Sequence, residues 1–72
     1  MEHTKVVVPD GKYVLDENVV LNVESDRNEQ HLIMYGLIFK ILQVQKKENE
    51  WWGITYSLKG LQKTGVLVKY QK

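Results

Sequence analysis

The chain has 72 residues, no cysteine, nine lysines, one arginine and nine acidic residues, and its formal net charge is +1. This length allows one domain with a barely sufficient core, and the lack of cysteine excludes disulfides and thiolate–zinc sites. The N-terminus lacks a leader pattern, and the longest apolar run, residues 32–42, is shorter than the roughly 20 residues that cross a bilayer. We therefore expect a cytoplasmic domain that does not enter a membrane.

Short runs of β-branched and aromatic residues alternate with polar clusters along the chain, which predicts β-strands separated by turns. The predicted strands lie at residues 5–8, 13–15, 19–23, 32–45, 51–58 and 66–70. The predicted turns and loops between them lie at residues 9–11, 16–18, 25–30, 46–49 and 59–65. This order predicts an all-β fold in one domain, residues 1–72, with five to six antiparallel strands that include an N-terminal β-hairpin over residues 4–15.

The segment from Glu29 to Gln45 is long enough to form a helix. Its apolar residues would cover every face of that helix, and so short a chain cannot bury a helix on all sides. We therefore favour a long strand, or a bent pair of strands, over residues 32–45. Gly36 then marks a bend or bulge where the strand turns a barrel corner.

The two tryptophans are adjacent, and adjacent strand residues point to opposite faces of a sheet. One phase of the strand, Trp52, Ile54, Tyr56 and Leu58, is continuously apolar and is predicted to face the core. The other phase, Trp51, Gly53, Thr55 and Ser57, is then predicted to face out. Further predicted core residues are Val14, Leu21, Val23, Phe39, Ile41, Val66 and Val68, with Lys40 facing out. Because an exposed Trp is often a binding residue, Trp51 is the principal candidate for a contact.

Several short motifs resemble the bacterial Src-homology-3-like barrel family. Leu21-Asn22-Val23-Glu24 resembles its "LNVR" strand, residues 36–41 resemble its "G-x-x-V-x-V" step, and Trp52-Gly53-Ile54-Thr55 resembles its "W-x-x-V" strand. With Gly60 and Gly65-Val66 at the closing motif, the resemblance covers residues 13–70 in the right order. It implies a single small SH3-like β-barrel. In the eukaryotic branch a Trp-Trp pair places its first Trp in the peptide groove, which is the position of Trp51.

No motif of catalysis or metal binding is evident. The only histidines, His3 and His31, do not have the spacing of a metal pair. Ser25 and Asp26 supply residue types of a catalytic triad, but in a polar loop such residues usually form turn hydrogen bonds. We therefore expect a protein that is not an enzyme and has no cofactor or metal.

Two functional classes fit this chain. The first is a small non-enzymatic module that docks on a protein or peptide partner, as an adaptor or as an inhibitor of the kind that mobile elements encode. Its predicted contact residues form an aromatic patch that comprises Trp51, Glu50, Tyr35, Tyr70 and Thr55. An unpaired strand edge at residues 6–8 would also allow a homodimer.

The alternative is a nucleic-acid-binding barrel. Residues 1–36 hold seven acids and three bases, a net charge of −4, whereas residues 37–72 hold seven lysines and two acids, a net charge of +5. In this alternative the phosphate contacts are Lys59, Lys63, Lys69 and Lys72. The low overall charge and the single arginine favour the protein partner.

Overall fold

Alternating apolar residues and tight turns organise the chain into six strands. The computed structural model describes residues 7–71. Its strands are β1 (Gly11–Leu15), β2 (Val19–Asp26), β3 (Glu29–Met34), β4 (Leu37–Glu48), β5 (Trp51–Leu58) and β6 (Leu61–Lys69). Each strand pairs antiparallel with the next, and β6 pairs with β1, which closes the barrel. The all-β prediction is confirmed, and the architecture is consistent with a small SH3-like barrel.

The strand directions give the barrel two ends. Strands β1, β3 and β5 run toward what we call the upper end, where the turns at residues 16–18, 35–36 and 59–60 lie. Strands β2, β4 and β6 return to the lower end, where the turns at residues 27–28 and 49–50 lie. Within residues 7–71 there is no helix that could span a membrane.

One core fills the barrel. Its buried residues are Val8, Tyr13, Leu15, Leu21, Val23, Leu32, Phe39, Trp52, Ile54, Tyr56 and Leu67. Two edge-to-face aromatic pairs order it, Tyr13 with Trp52 at 5.4 Å between ring centroids and Phe39 with Tyr56 at 5.6 Å. The predicted inward positions of Leu21, Val23 and Phe39 are confirmed, and Ile41 packs half-buried against this core.

Three predicted core residues lie outside the core. Val66 and Val68 are 39% and 38% exposed because the buried Leu67 between them takes the inward position in β6. Val14 is likewise flanked by the buried residues Tyr13 and Leu15, so it points outward from β1. The predicted phase was wrong by one residue in both strands.

Two of the predicted loops are shorter in the structure, whereas the turn at residues 16–18 has its predicted bounds. The predicted loop at residues 25–30 is reduced to Arg27 and Asn28, and Arg27 has a φ of 60°. The predicted loop at residues 59–65 is reduced to Lys59 and Gly60, with φ angles of 52° and 82°. Polar residues on both sides of these turns continue the strands, because they face solvent.

Gly36 was predicted to be a bend or bulge within a long strand. In the structure it is instead the second residue of a tight hairpin turn. Tyr35 and Gly36 have φ angles of 51° and 75°, the left-handed backbone of a type I′ turn. The irregularities of the long strand lie further along β4, as register shifts between Ile41 and Gln43 and between Val44 and Lys46. Bulges of this kind bend the strand that carries them and increase its twist.

A short N-terminal segment covers the lower end of the barrel. Val7 and Val8 form no strand, and residues 4–6 of the predicted hairpin lie outside the described residues, so the homodimer edge at residues 6–8 stays a prediction. The side-chain amide of Gln30 replaces a partner strand: its Oε1 accepts from Val8 N–H at 3.0 Å, and its Nε2 donates to Val8 C=O at 2.5 Å. Val8 is thereby fully buried.

Candidate functional site

The adjacent tryptophans have different surroundings. Trp52 is 4% exposed and packs edge-to-face on Tyr13, with Lys47 Nζ 5.0 Å from the centroid of its ring. Its indole N–H is buried and has no hydrogen-bond partner within residues 7–71, so packing holds this side chain in place. The predicted division into an inner Trp52 and an outer Trp51 agrees with this geometry.

The indole of Trp51 lies half-buried against the outer surface of β5. Its Cζ3 atom is 3.8 Å from the point where a Cβ on Gly53 would be, so the ring extends over the glycine. Lys46 Nζ lies 5.9 Å from the centroid of the ring, at the outer limit of a cation–π contact. The indole thus lies along the strand surface and leaves part of itself accessible.

Trp51 begins a continuous row of apolar side chains on the outside of the barrel. In the strand register Trp51 is opposite Val68 of β6, Val68 is opposite Val14 of β1, and Val14 is opposite Val20 of β2. Directly opposed side chains on one face of a sheet are in contact range. We call these four residues the apolar row. Val68 and Val20, at 38% and 49% exposure, are its most accessible valines.

Two other predicted contact residues lie near the lower side of the apolar row. Tyr70 is 39% exposed, its N–H donates to Lys12 C=O at 3.0 Å, and Lys12 Nζ lies 5.1 Å from the centroid of its ring. Glu50 is exposed in the turn before β5, its C=O accepts from Lys69 N–H at 3.0 Å, and its carboxylate accepts from the side-chain amide of Gln71. Trp51, Glu50 and Tyr70 therefore share the lower half of the barrel.

The remaining two predicted contact residues do not join this patch. Tyr35 is 83% exposed, but its turn lies at the upper end, whereas Trp51 begins β5 at the lower end. Thr55 is only 9% exposed, because it sits mid-strand in β5 between Gln43 and Thr64 of the flanking strands. Its position leaves it little surface with which to contact a partner.

The lysines proposed for nucleic-acid binding are dispersed. Lys59 is in an upper-end turn, Lys63 is in the upper half of β6, and Lys69 is at the lower end of β6. Lys72 lies outside the described residues. The three lysines that can be placed therefore do not form one compact basic surface.

Val20 was not predicted as a surface contact residue, and Val14 and Val68 were predicted to lie in the core. The sequence signal that could have placed these valines on the outer face is the other phase of β1 and β6, in which Tyr13, Leu15 and Leu67 point inward. That phase is as apolar as the one chosen, because both strands carry large apolar residues on both faces. Apolar residues on both faces of a strand indicate either two-sided burial or an outward binding surface.

The polar clusters have structural roles. Ser25 Oγ donates to the Asp10 carboxylate at 2.7 Å, and it accepts from Gln30 Nε2 at 3.0 Å. Glu29 lies 3.1 Å from Lys40 Nζ and 3.5 Å from His31 Nε2, and the hydrogen bond and charge of Lys40 lower the pKa of Glu29. No cluster of three or more potential metal ligands exists within residues 7–71. These contacts fasten strands and the N-terminal segment together.

No protein-family model matches the chain, and searches of curated proteins and of solved structures found no significant match. The resemblance to the bacterial SH3-like family stays a prediction.

Proposed function

We propose that this chain is a non-enzymatic binding module that docks on a protein partner through the apolar row, with Trp51 as the anchor. The observation that carries the proposal is the row itself, Trp51–Val68–Val14–Val20, on the outside of a closed barrel. The outer face of an antiparallel sheet is normally polar when water covers it. Such a module acts as an adaptor or an inhibitor by occupying its partner's surface.

The half-buried, partly accessible Trp51 supports this role. Interfaces concentrate their binding energy in a few aromatic anchors surrounded by less important contacts. The indole of Trp51 extends over Gly53, and a partner that packs on its exposed part would bury a large aromatic surface. The valines of the row are short and stiff, so they add apolar contact area at low entropic cost.

The charges beside the row favour a partner whose apolar patch is bordered by carboxylates. Lys12 is two residues before Val14 on the same face of β1, and Lys46 lies beside Trp51. Glu48, opposite Trp51 in the register, lies 3.5 Å from Lys46. Among the described ion pairs none includes Lys12, so its ammonium, which lies over the ring of Tyr70, can pair with an acidic group of the partner.

The test begins with affinity capture from the native cell or, for a mobile-element protein, from its host. The captured protein is then purified, and its affinity is measured by calorimetry against matched variants. We expect Trp51→Ala to weaken binding at least about tenfold and Val20→Ser to weaken it less, since central aromatic anchors contribute most. Ile38→Ala is the matched control, because this side chain is 59% exposed and lies in β4, which contributes no residue to the row, and it should leave the affinity unchanged.

Two results would contradict the proposal. The first is an affinity that Trp51→Ala and Val20→Ser do not change. The second is binding of single-stranded or duplex oligonucleotides that weakens steeply with salt and is lost in a variant with Lys59, Lys63 and Lys69 changed to Gln. That result would replace the protein partner by the nucleic-acid alternative, because salt-dependent binding reports the release of counterions from phosphates.

A further inference from the structure

The upper end of the barrel carries an open cavity of about 260 Å³. Leu15, Met34 and Phe39 are among the apolar residues of its wall. A closed apolar cavity of about 150 Å³ holds benzene. The upper cavity is larger but open to solvent, so it could hold a compact apolar group with a polar head at its mouth.

The rim of this cavity carries a carboxylate that the fold holds in place. Asp16 and Val66 exchange two hydrogen bonds: Asp16 N–H donates to Val66 C=O at 2.9 Å, and Asp16 Oδ1 accepts from Val66 N–H at 2.9 Å. Gly65 allows this arrangement, because a Cβ there would lie 2.8 Å from Leu15 Cδ1 and 3.2 Å from Asp16 Oδ2. Asp16 is thus a fixed negative charge at the upper end.

The rim also carries an ammonium group and a phenol. Lys63 lines the cavity and is opposite Tyr56 in the β5–β6 register. Burial, and then the negative charge of Asp16, raises the pKa of the Tyr56 hydroxyl, which therefore stays a neutral donor at physiological pH. The ion pairs found within residues 7–71 involve neither Asp16 nor Lys63. Two opposite charges thus share one cavity without an ion pair between them.

We propose that the upper cavity binds a free α-amino acid with an apolar side chain. The side chain would contact the wall formed by Leu15, Met34 and Phe39, the ammonium would face Asp16, and the carboxylate would face Lys63 and the Tyr56 hydroxyl. A zwitterion satisfies both rim charges. A ligand with a single charge would leave one rim group partly desolvated without a partner, which is unfavourable.

The test is a titration of the ¹⁵N-labelled protein with L-phenylalanine and L-leucine, followed by amide chemical shifts. We expect saturable shifts at residues 16–19 and 63–65, with a dissociation constant of about 1 mM. Two single-charge analogues, phenethylamine and 3-phenylpropionate, should each bind about tenfold more weakly, because each loses one charge-assisted hydrogen bond.

Charge-removing variants test the assignment of each rim group. Asp16→Asn keeps an oxygen that can accept from Val66 N–H, and Lys63→Gln keeps a side chain of similar reach; each should weaken phenylalanine binding about tenfold. Lys59→Gln, an upper-end lysine that does not line the cavity, is the matched control and should leave binding unchanged. Absence of saturable shifts, equal binding of the single-charge analogues, or shifts confined to the apolar row would each overturn the proposal.

Discussion

At the scale of single residues, Trp51 and Trp52 differ because each lies on a different side of the same strand. Trp52 is 4% exposed and packs edge-to-face on Tyr13 in the core. Trp51 keeps part of its surface in water, extends over Gly53 and lies opposite Val68 in the register. The free energy that each indole contributes to folding should differ accordingly, although their chemistry is identical.

We expect Trp52→Ala to lower the free energy of unfolding by about 3–5 kcal/mol, the usual loss for a buried aromatic side chain. Trp51→Ala should lower it by about 1 kcal/mol or less, as for most surface substitutions. Urea titrations of both variants and of the unsubstituted chain provide the measurement, and Tyr35→Ala, which changes a largely exposed ring, serves as control. Equal destabilisation by the two tryptophan variants would contradict the division into inner and outer residues.

At the scale of the strands, the chain turns mostly at residues that are not glycine. Lys59 has a left-handed backbone with a φ of 52°, immediately before Gly60. The same backbone occurs at Tyr35 before Gly36, and at Arg27. An L-residue in this conformation costs roughly 1–2 kcal/mol, whereas Asn adopts it more readily. These turns are therefore places where the sequence is not optimal for the structure.

Lys59→Asn would create an Asn-Gly turn, the preferred pair for a type I′ hairpin. We expect it to raise the free energy of unfolding by about 0.5–1 kcal/mol, because the strain at residue 59 is reduced. Thermal or urea unfolding measures the change. Lys69→Asn is the control, since residue 69 is in a strand and Asn should give no gain there. A loss of stability in Lys59→Asn would show that this turn is not strained in the folded chain.

The sequence predicts some parts of this fold and not others, and the reasons are physical. Strand β5 was predicted with its observed bounds, because its alternation is strong and one phase is wholly apolar. The loops at residues 25–30 and 59–65 were predicted too long, because polar strand residues that face water resemble loop residues. The outward position of Trp51 could be predicted from the alternation of β5 alone. The rest of the apolar row depends on the register of three further strands. Register is a tertiary property that local patterns do not determine.

At the scale of the whole molecule, the lower end of the barrel depends on one neutral side chain. Gln30 donates to the C=O of Val8 and accepts from its N–H, as a partner strand would. A third hydrogen bond, from its Nε2 to Ser25 Oγ, fixes the orientation of the amide. Removing the amide would leave buried backbone groups of Val8 without partners, which is costly.

Gln30→Leu should therefore lower the free energy of unfolding by about 1–3 kcal/mol. It should also increase hydrogen exchange at the amide of Val8, measured by NMR, more than exchange in β5 or β6. Gln62→Leu, at an exposed position of β6, is the control and should be nearly neutral. Unchanged protection of the Val8 amide in Gln30→Leu would contradict the proposed role of the side chain.

The apolar row crosses the seam where the last strand meets the first. That seam has three residue pairs, Tyr13–Lys69, Val14–Val68 and Leu15–Leu67. Half of the row lies on each side of this seam. A nascent chain whose β6 is still inside the ribosome therefore lacks the complete row to which a partner would bind. A partner that spans the seam would also stabilise the closed barrel by mass action, since it binds the folded state alone. A partner that binds this surface would thus recognise only the completely folded protein and would oppose opening of the barrel.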